Sequence, residues 1–149
     1  MSDLLVVYGI EMGINTATKE APTFAPIGDG FNNLSESQNE VIQQYFFLSG
    51  KGFAHNFVTG MAPVLTLSGV CVVGDAAQDY IFGSARKYGL MKERETQIQI
   101  KRLTADAKIE TITCDVTLAN ISDMAGATTD GSAVSVEIRF NGKPEVTTA

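Results

Sequence analysis

The chain has 149 residues and a mass of 15.9 kDa, a length that suits one domain and allows a packed core without disulfides or metals. Hydrophobic residues make up 44% of it and charged residues 19%, which excludes a chain that is disordered throughout or collagen-like. The 11 Lys and Arg against 17 Asp and Glu give a net charge of −6, which disfavours a module that grips duplex DNA by its phosphates.

The N-terminal part of the chain carries weak strand signals. Residues 4–8 are a candidate strand, and their apolar run is too short for a signal peptide or a membrane span, so we expect neither. Residues 23–27 are a second candidate, and the neighbouring Pro22 and Pro26 favour the edge of a sheet. Two glycines around an aspartate predict a turn at residues 28–30.

The next two segments differ in pattern. Residues 41–48 are apolar on both parities, which is compatible with a strand covered on both faces or with a short helix, and we favour the strand. Residues 49–60, SGKGFAHNFVTG, are rich in glycine and are predicted to form a long loop between strands.

One helix is predicted between the strands of the second half. Asp75 is suited to cap its N-terminus, and Gln78 three residues later completes a capping box. The predicted helix covers about residues 76–88, and one of its faces is formed by Ala77, Ile81, Ala85 and Tyr88.

Period-two alternation identifies the firmest strands. Apolar and polar residues alternate over residues 64–73, 96–103, 109–120 and 133–140. Such strands have one buried and one solvated face, which is typical of antiparallel sheets. A loop is predicted at residues 121–131, and the tail after Gly142 is expected to be loose. The sequence therefore predicts a mainly β fold, an antiparallel β-sandwich or barrel with one flanking α-helix and long loops.

The residues that enzymes use do not form a recognisable pattern. His55 is the only histidine and lies in the glycine-rich segment with no carboxylate nearby in sequence. Cys71 and Cys114 fall on the inward parity of their strands, which favours inert core thiols. We expect no catalytic residue, no metal site and no cofactor, and hence not an enzyme.

Charge is spread unevenly along the chain. Residues 1–40 contain six acids and one lysine, whereas residues 86–102 have a net charge of +4. The basic segment is compatible with a helix end followed by a solvated strand. It is also compatible with contact to an acidic face of an identical neighbour, for which Arg86, Lys87 and Arg94 are the candidates.

An ordered set of short segments resembles a known family. The segments are Pro26 to Gly30, Ser35 to Glu40, Tyr45 to Phe47, Gly50 to Phe53, Val58 to Gly60, Leu65 to Gly69 and Gly74 to Ile81. Over residues 22–120 the chain resembles the major tail proteins, or tail-tube proteins, of long-tailed bacteriophages, particularly those of Gram-positive hosts. The likeness is strongest in the Gly-Asp-Ala-Ala-Gln-Asp-Tyr segment.

The resemblance implies a structural virion protein that forms stacked, typically hexameric rings and assembles into the tail tube through which DNA leaves the capsid. It implies one domain over residues 1–149, with an N-terminal arm at 1–22, an inter-ring loop at 49–60 and a C-terminal arm at 142–149. Lys51, Phe53, His55 and Phe57 would contact neighbouring subunits from the loop. Its partners would be further copies of the chain and the tail-tip initiator, tape-measure and terminator proteins, with assembly in the host cytoplasm.

The family's channel is commonly acidic, and DNA would be only passing cargo there. On this interpretation the polar parity of the strands faces the channel, with Thr111, Thr113, Asp115 and Glu137 as candidates. A tube of a phage-like bacteriocin or secretion device is a close variant. The alternative from another class is a monomeric β-sandwich that binds carbohydrate or a cell-surface ligand, although the absence of tryptophan counts against it.

Overall fold

Ten β-strands provide most of the regular structure in residues 4–149, the part of the chain that the computed structural model describes. The strands are β1 Glu11–Asn15, β2 Phe24–Ile27, β3 Phe31–Ser37, β4 Val41–Phe46, β5 Ala54–Gly60, β6 Val64–Val70, β7 Glu95–Leu103, β8 Ile109–Ser122, β9 Ala133–Phe140 and β10 Glu145–Thr148. Two short helices, α1 Ala76–Phe82 and α2 Ser84–Lys87, lie between β6 and β7.

Eight of the strands form one antiparallel sheet that curls on itself. Its order is β2-β1-β7-β8-β9-β6-β3, and β10 pairs with β8 beyond the end of β9. The two edge strands, β2 and β3, are joined by residues 28–30 alone, so the edges of the sheet approach each other without pairing. We call this gap the seam. The architecture confirms the predicted fold class, and β2 lies at an edge as the prolines indicated.

The core lies inside the curl, between the sheet and α1. Alternate residues of the strands point inward, and α1 adds Ala77 and Ile81, which have no exposed surface. The strand residues of the buried cluster are Met12, Ile14, Ala25, Leu65, Leu67, Ile98, Ile100, Cys114, Val116, Leu118, Val134, Val136 and Ile138. Each fully buried aliphatic side chain contributes about 1.5–3 kcal/mol, so this cluster dominates the stability of the fold.

Gln78 on α1 ties together three segments at one end of the sheet. Its side-chain nitrogen donates hydrogen bonds to the carbonyl oxygens of Asp29 and Val70, at 2.9 and 3.0 Å. Its side-chain oxygen accepts a bond from the backbone N–H of Val72 at 2.9 Å. Only 2% of the residue is exposed, so each of these bonds is made away from water. The side chain thereby fixes the turn of the seam to the helix and to the end of β6.

The predicted capping box is present only in part. The carboxylate of Asp75 accepts a bond from the backbone N–H of Gln78 at 3.1 Å, as the cap requires. The Gln78 side chain does not return the bond to Asp75, because it is used at the seam instead.

Two glycines allow the backbones to approach closely beside Gln78. The N–H of Val70 donates to the carbonyl oxygen of Gly30 at 2.8 Å, and Gly30 has a φ of 84°. A Cβ atom on Gly69 would overlap that same carbonyl group, and one on Gly30 would overlap the Gln78 amide. Both positions therefore require glycine.

The helix occupies the predicted place but is interrupted at Gly83, whose φ of −61° and ψ of 150° are extended. The interruption turns the second half of the predicted apolar face away from the core. Ala85 and Tyr88 are therefore exposed, whereas Ala77 and Ile81 are buried.

Several local predictions in the first half and in the tail are wrong. Residues 4–8 do not form a strand, and a 3₁₀ turn, Val7–Gly9, covers their end. The prediction missed β1 and β3. Residues 49–60 are not a continuous loop, since β5 occupies Ala54–Gly60 and pairs with β4. The tail is not loose, because β10 pairs with β8 and the N–H of Ala149 donates to the carbonyl oxygen of Ile109 at 3.1 Å.

We expect Gln78→Ala to destabilise the fold by about 2–4 kcal/mol, because it leaves buried backbone groups without partners. Urea unfolding, with Gln43→Ala on the exposed strand β4 as the matched control, measures the effect. Equal midpoints for the two variants would show that the seam is held by other contacts.

Candidate assembly surfaces

A two-stranded hairpin extends from the sheet. Strands β4 and β5 pair only with each other, and we call residues 41–60 the hairpin arm. The arm continues the β3–β6 pair outward, because the N–H of Ala62 donates to the carbonyl oxygen of Gln38 at 2.9 Å. Asn39 adopts a φ of 46° there, and its side-chain amide donates to the carbonyl oxygen of Ala62 at 3.0 Å. These contacts fix the point at which the arm leaves the sheet.

Both faces of the hairpin arm are exposed and rich in apolar side chains. Every residue from 41 to 49 and from 51 to 59 is exposed. At its end Leu48 is fully exposed, Phe53 is 81% exposed, and Phe46 on β4 is 68% exposed.

One face of the arm carries a cluster of aromatic rings. The ring centroids of His55 and Phe57 lie 4.4 Å apart. The ring centroid of Tyr45 lies 5.9 Å from that of Phe47 and 6.0 Å from that of Phe57. Such pairs add about 0.5–1.5 kcal/mol each, so the rings give the arm a defined shape. The opposite face has Ile42, Phe46 and Val58.

An arm of this kind is not stable as a free element in water. A lone two-stranded hairpin is marginal at best, since neither face is packed on a core. Exposed apolar patches of this extent mark sites that another molecule covers. The arm is therefore the candidate surface for contact with another molecule.

The sequence candidates on the arm lie at different positions along it. Lys51 occupies the left-handed position of the turn, with a φ of 50°, and Phe53 lies beside it. His55 and Phe57 belong to the aromatic cluster on β5. The sequence candidates did not include the fully exposed Leu48, although the unbroken apolar run from Tyr45 to Leu48 has no polar parity.

The basic candidates are largely engaged within the chain. Lys87 forms a half-buried ion pair with Asp123, and the hydrogen bond to that carboxylate raises the pKa of the lysine. Arg94 donates to the carbonyl oxygens of Lys87, Gly89 and Leu118, at 2.6, 3.1 and 3.4 Å.

Arg86 differs from the other two basic candidates. Its guanidinium lies 4.2 Å above the ring of Tyr80, a cation–π contact. Its Nε is buried and has no hydrogen-bond partner among residues 4–149. The three basic side chains thus do not form a common free patch.

The outward side of β7, β8 and β9 is a band of hydroxyl and amide groups, which we call the polar face. All four predicted channel residues, Thr111, Thr113, Asp115 and Glu137, lie on it, because their parity is opposite to that of the buried residues. Gln97 and Gln99 of β7 lie beside Asp115 and Thr113 in register.

Two acids of the polar face, Asp115 and Glu137, are paired with nearby groups. Asp115 accepts bonds from Lys19 at 3.0 Å and from Gln97 at 3.1 Å. The bond from Lys19 holds the pKa of Asp115 below its ordinary value. Glu137 accepts bonds from Arg139 at 2.6 Å and from Asn120 at 2.8 Å. Arg139 shares the polar parity, and its charge is neutralised by its neighbour on the same strand.

A cleft of about 400 Å³ opens at the seam, which we call the seam cleft. Its floor includes the core residues Met12 and Leu67, and its walls include Ile27 and Leu34 from the two edge strands. Tyr8, which is 91% exposed, lies at its rim. Sequence analysis missed this cleft because β1 and β3, which flank it, were not recognised as strands.

Within residues 4–149 no group of three or more His, Cys, Asp or Glu is placed to hold a metal ion. No helix in that part of the chain has the length and apolarity to cross a membrane. Burial raises the pKa of the Cys114 thiol, and Cys71 is half-buried.

Comparison with known proteins shows a shared fold at low sequence identity. A scan of protein-family models and a search of curated proteins gave no match. A chain in the tail of an empty gene transfer agent (GTA) particle with C6 symmetry is 16% identical, with a TM-score of 0.60, over 91% of this chain and 95% of that chain. A chain in the virion of a native GTA particle is 15% identical, with a TM-score of 0.61, over 95% of this chain and 98% of that chain.

A third similar structure comes from another kind of particle. A chain in the six-fold symmetrised baseplate of the anti-feeding prophage (AFP) is 12% identical, with a TM-score of 0.59, over 100% of this chain and 97% of that chain. At these identities the likeness shows that the chain has the fold of components of phage-like tail and baseplate assemblies.

We expect Lys19→Met to raise the pKa of Asp115 toward its ordinary value, because the variant removes the hydrogen bond and the positive charge beside the carboxylate. NMR titration measures that pKa directly, and Lys143→Met, at another exposed lysine, is the control. Because the folded-state pKa of Asp115 is lowered, the stability that the pair adds is present near neutral pH and is lost as the pH falls through that pKa. An unchanged pKa in Lys19→Met would contradict the pairing.

Proposed function

We propose that this chain is a structural protein that polymerises with copies of itself, as stacked hexameric rings, into the tube of a phage or phage-like tail. The observation that carries the proposal is the hairpin arm, whose two apolar faces are exposed in the isolated chain. The fold shared with chains of six-fold symmetric tail and baseplate particles supports it.

The proposed assembly needs two kinds of contact. A heterologous contact that closes by rotation forms a ring, and a second one along the axis stacks rings into a filament. The unpaired edges of β2 and β3 are available for contacts within a ring. The hairpin arm would make the contact along the axis, since its six-residue strand spans about 20 Å.

In this proposal the polar face lines the channel. Duplex DNA carries one charge per about 1.7 Å, so a wall of free Lys and Arg would hold it. The polar face instead presents mostly hydroxyl and amide groups, and its acids Asp115 and Glu137 are paired with Lys19 and Arg139. Glu95 and Lys101 of β7 are also exposed on this face, with charges of opposite sign. DNA would pass such a wall as cargo without being gripped.

The remaining parts of the proposal follow from this role. The protein would be located in the tail of the virion, assembled in the host cytoplasm, and its other partners would be the tail-tip initiator, tape-measure and terminator proteins. The ordered sequence segments favour the long-tailed phages of Gram-positive hosts among the possible sources. We assign the chain no catalytic function.

We expect Phe53→Ser and Phe46→Ser to reduce assembly at least ten-fold, because each removes a large exposed apolar side chain from the arm. Light-scattering mass and negative-stain electron microscopy at two protein concentrations measure the loss. Val146→Ser and Met124→Ser, at exposed apolar positions outside the arm, are the controls.

The unfolding midpoint of all four variants should stay near that of the parent chain, since none of these side chains is buried. Assembly of the two arm variants at the parent concentration would contradict the role of the arm.

Chemical labelling of assembled tubes tests the position of the polar face. In a Cys71→Ser background, Thr113→Cys should react with a small maleimide but not with a maleimide carried on a folded protein, which is too wide for a closed channel. Thr129→Cys, in the exposed segment before β9, is the control that should react with both reagents. If Thr113→Cys in assembled tubes reacts with the protein-carried maleimide as Thr129→Cys does, the polar face lies outside the channel.

A further inference from the structure

We propose that the seam cleft of one copy receives the end of the hairpin arm of a second copy, with Leu48 and Phe53 in the cleft and Lys51 beside Asp29 at its rim. The inference rests on the proposed function and names the surface with which the arm would pair.

The seam cleft has the character of a receptor for apolar side chains. It is formed where the edges of the sheet approach without pairing, and Ile27, Phe31 and Leu34 contribute to its walls. Its rim is also apolar, since Val7 is 62% exposed and Tyr8 is 91% exposed. The cleft therefore presents an apolar surface that residues 4–149 leave uncovered.

The end of the arm carries apolar side chains that match the apolar lining of the cleft. Leu48 and Phe53 flank the turn and are 100% and 81% exposed. Large side chains that fill a desolvated pocket near the centre of an interface carry much of its binding energy, and aromatic residues are enriched at interface cores. The cleft volume of about 400 Å³ is sufficient for two such side chains.

The arm and the cleft lie toward opposite ends of β3. The beginning of β3, Phe31 to Leu34, lines the cleft, whereas the arm leaves the sheet after the last residue of the strand, Ser37. The arm continues the β3–β6 ladder outward, so its end points away from its own cleft. A protrusion at one end and a receptor toward the other produce a head-to-tail contact, which repeats along an axis.

Charge favours the same pairing. Lys51 is the only Lys, Arg, Asp or Glu of the hairpin arm. Asp29 is exposed in the turn that joins the two edge strands, between Gly28 and Phe31, which line the cleft. Its backbone carbonyl accepts a hydrogen bond from Gln78, so the backbone from which this carboxylate projects is held beside the cleft. Complementary charges at a rim set the register of an interface more than its strength.

A charge exchange tests the register. We expect Lys51→Glu and Asp29→Lys each to raise the protein concentration needed for assembly by about three- to ten-fold, because each places like charges together. The double variant Lys51→Glu/Asp29→Lys restores an opposite pair in every contact and should assemble within about two-fold of the parent. The pair Lys51→Glu/Asp130→Lys, with the second charge in the exposed segment before β9, should show no rescue. If the two single effects on the concentration needed for assembly simply combine in the Lys51→Glu/Asp29→Lys chain, the proposed pairing is wrong.

Disulfide cross-linking tests the contact itself. In a Cys71→Ser background, a mixture of Ser49→Cys and Asn32→Cys chains should form a cross-linked dimer under mild oxidation, since Ser49 lies in the turn at the end of the arm and Asn32 is an exposed residue of the cleft. Ser49→Cys mixed with Thr147→Cys, which lies on β10, should not. Tubes without the first cross-link would overturn the cleft assignment while the proposed function stands. Failure of the parent chain to assemble at any concentration would overturn both.

Discussion

The bonds that Gln78 makes at the seam fix the end of the curled sheet beside which the seam cleft lies. Its side chain joins the turn between β2 and β3 to the end of β6 and to α1, and the backbones beside it approach so closely that Gly30 and Gly69 cannot carry a side chain. The curl of the sheet then stops before its edges pair. A buried polar group with every bond made is rigid, so the seam is a fixed feature of the surface.

The hairpin arm extends from the last residue of β3, away from the seam cleft. The core stabilises the curled sheet, but nothing in residues 4–149 covers either face of the arm. An isolated hairpin with this much exposed aromatic surface gains its stability from a partner. A chain with one rigid apolar cleft and one protruding apolar arm is suited to repeated contact with its own copies, and this links the fold to the proposed tube.

The sequence predicted the fold class and the strands that contribute the core because alternation records burial on one face. Strands β7, β8 and β9 each have a buried and a solvated parity, and all three were recognised. The arm was mispredicted from Ala54 to Gly60 because neither of its faces is buried in the chain, so no alternation marks it. Strand β10 has four residues, too few for a period to show, and its pairing with β8 is set by tertiary contact. The alternation of β8 and β9 predicted which residues lie on the polar face. The seam cleft could not be predicted in this way, because it is flanked by β1 and β3, whose pairing partners are distant in sequence.

Self-assembly is tested most directly by the mass and shape of the unmodified chain at two concentrations, measured by light scattering and negative-stain electron microscopy. We expect rings or hollow tubes whose mass rises with concentration, because the arm is covered only when copies meet. A species of 15.9 kDa at every concentration, with the arm protected from amide hydrogen exchange, would contradict it, since the arm would then be stable without a partner.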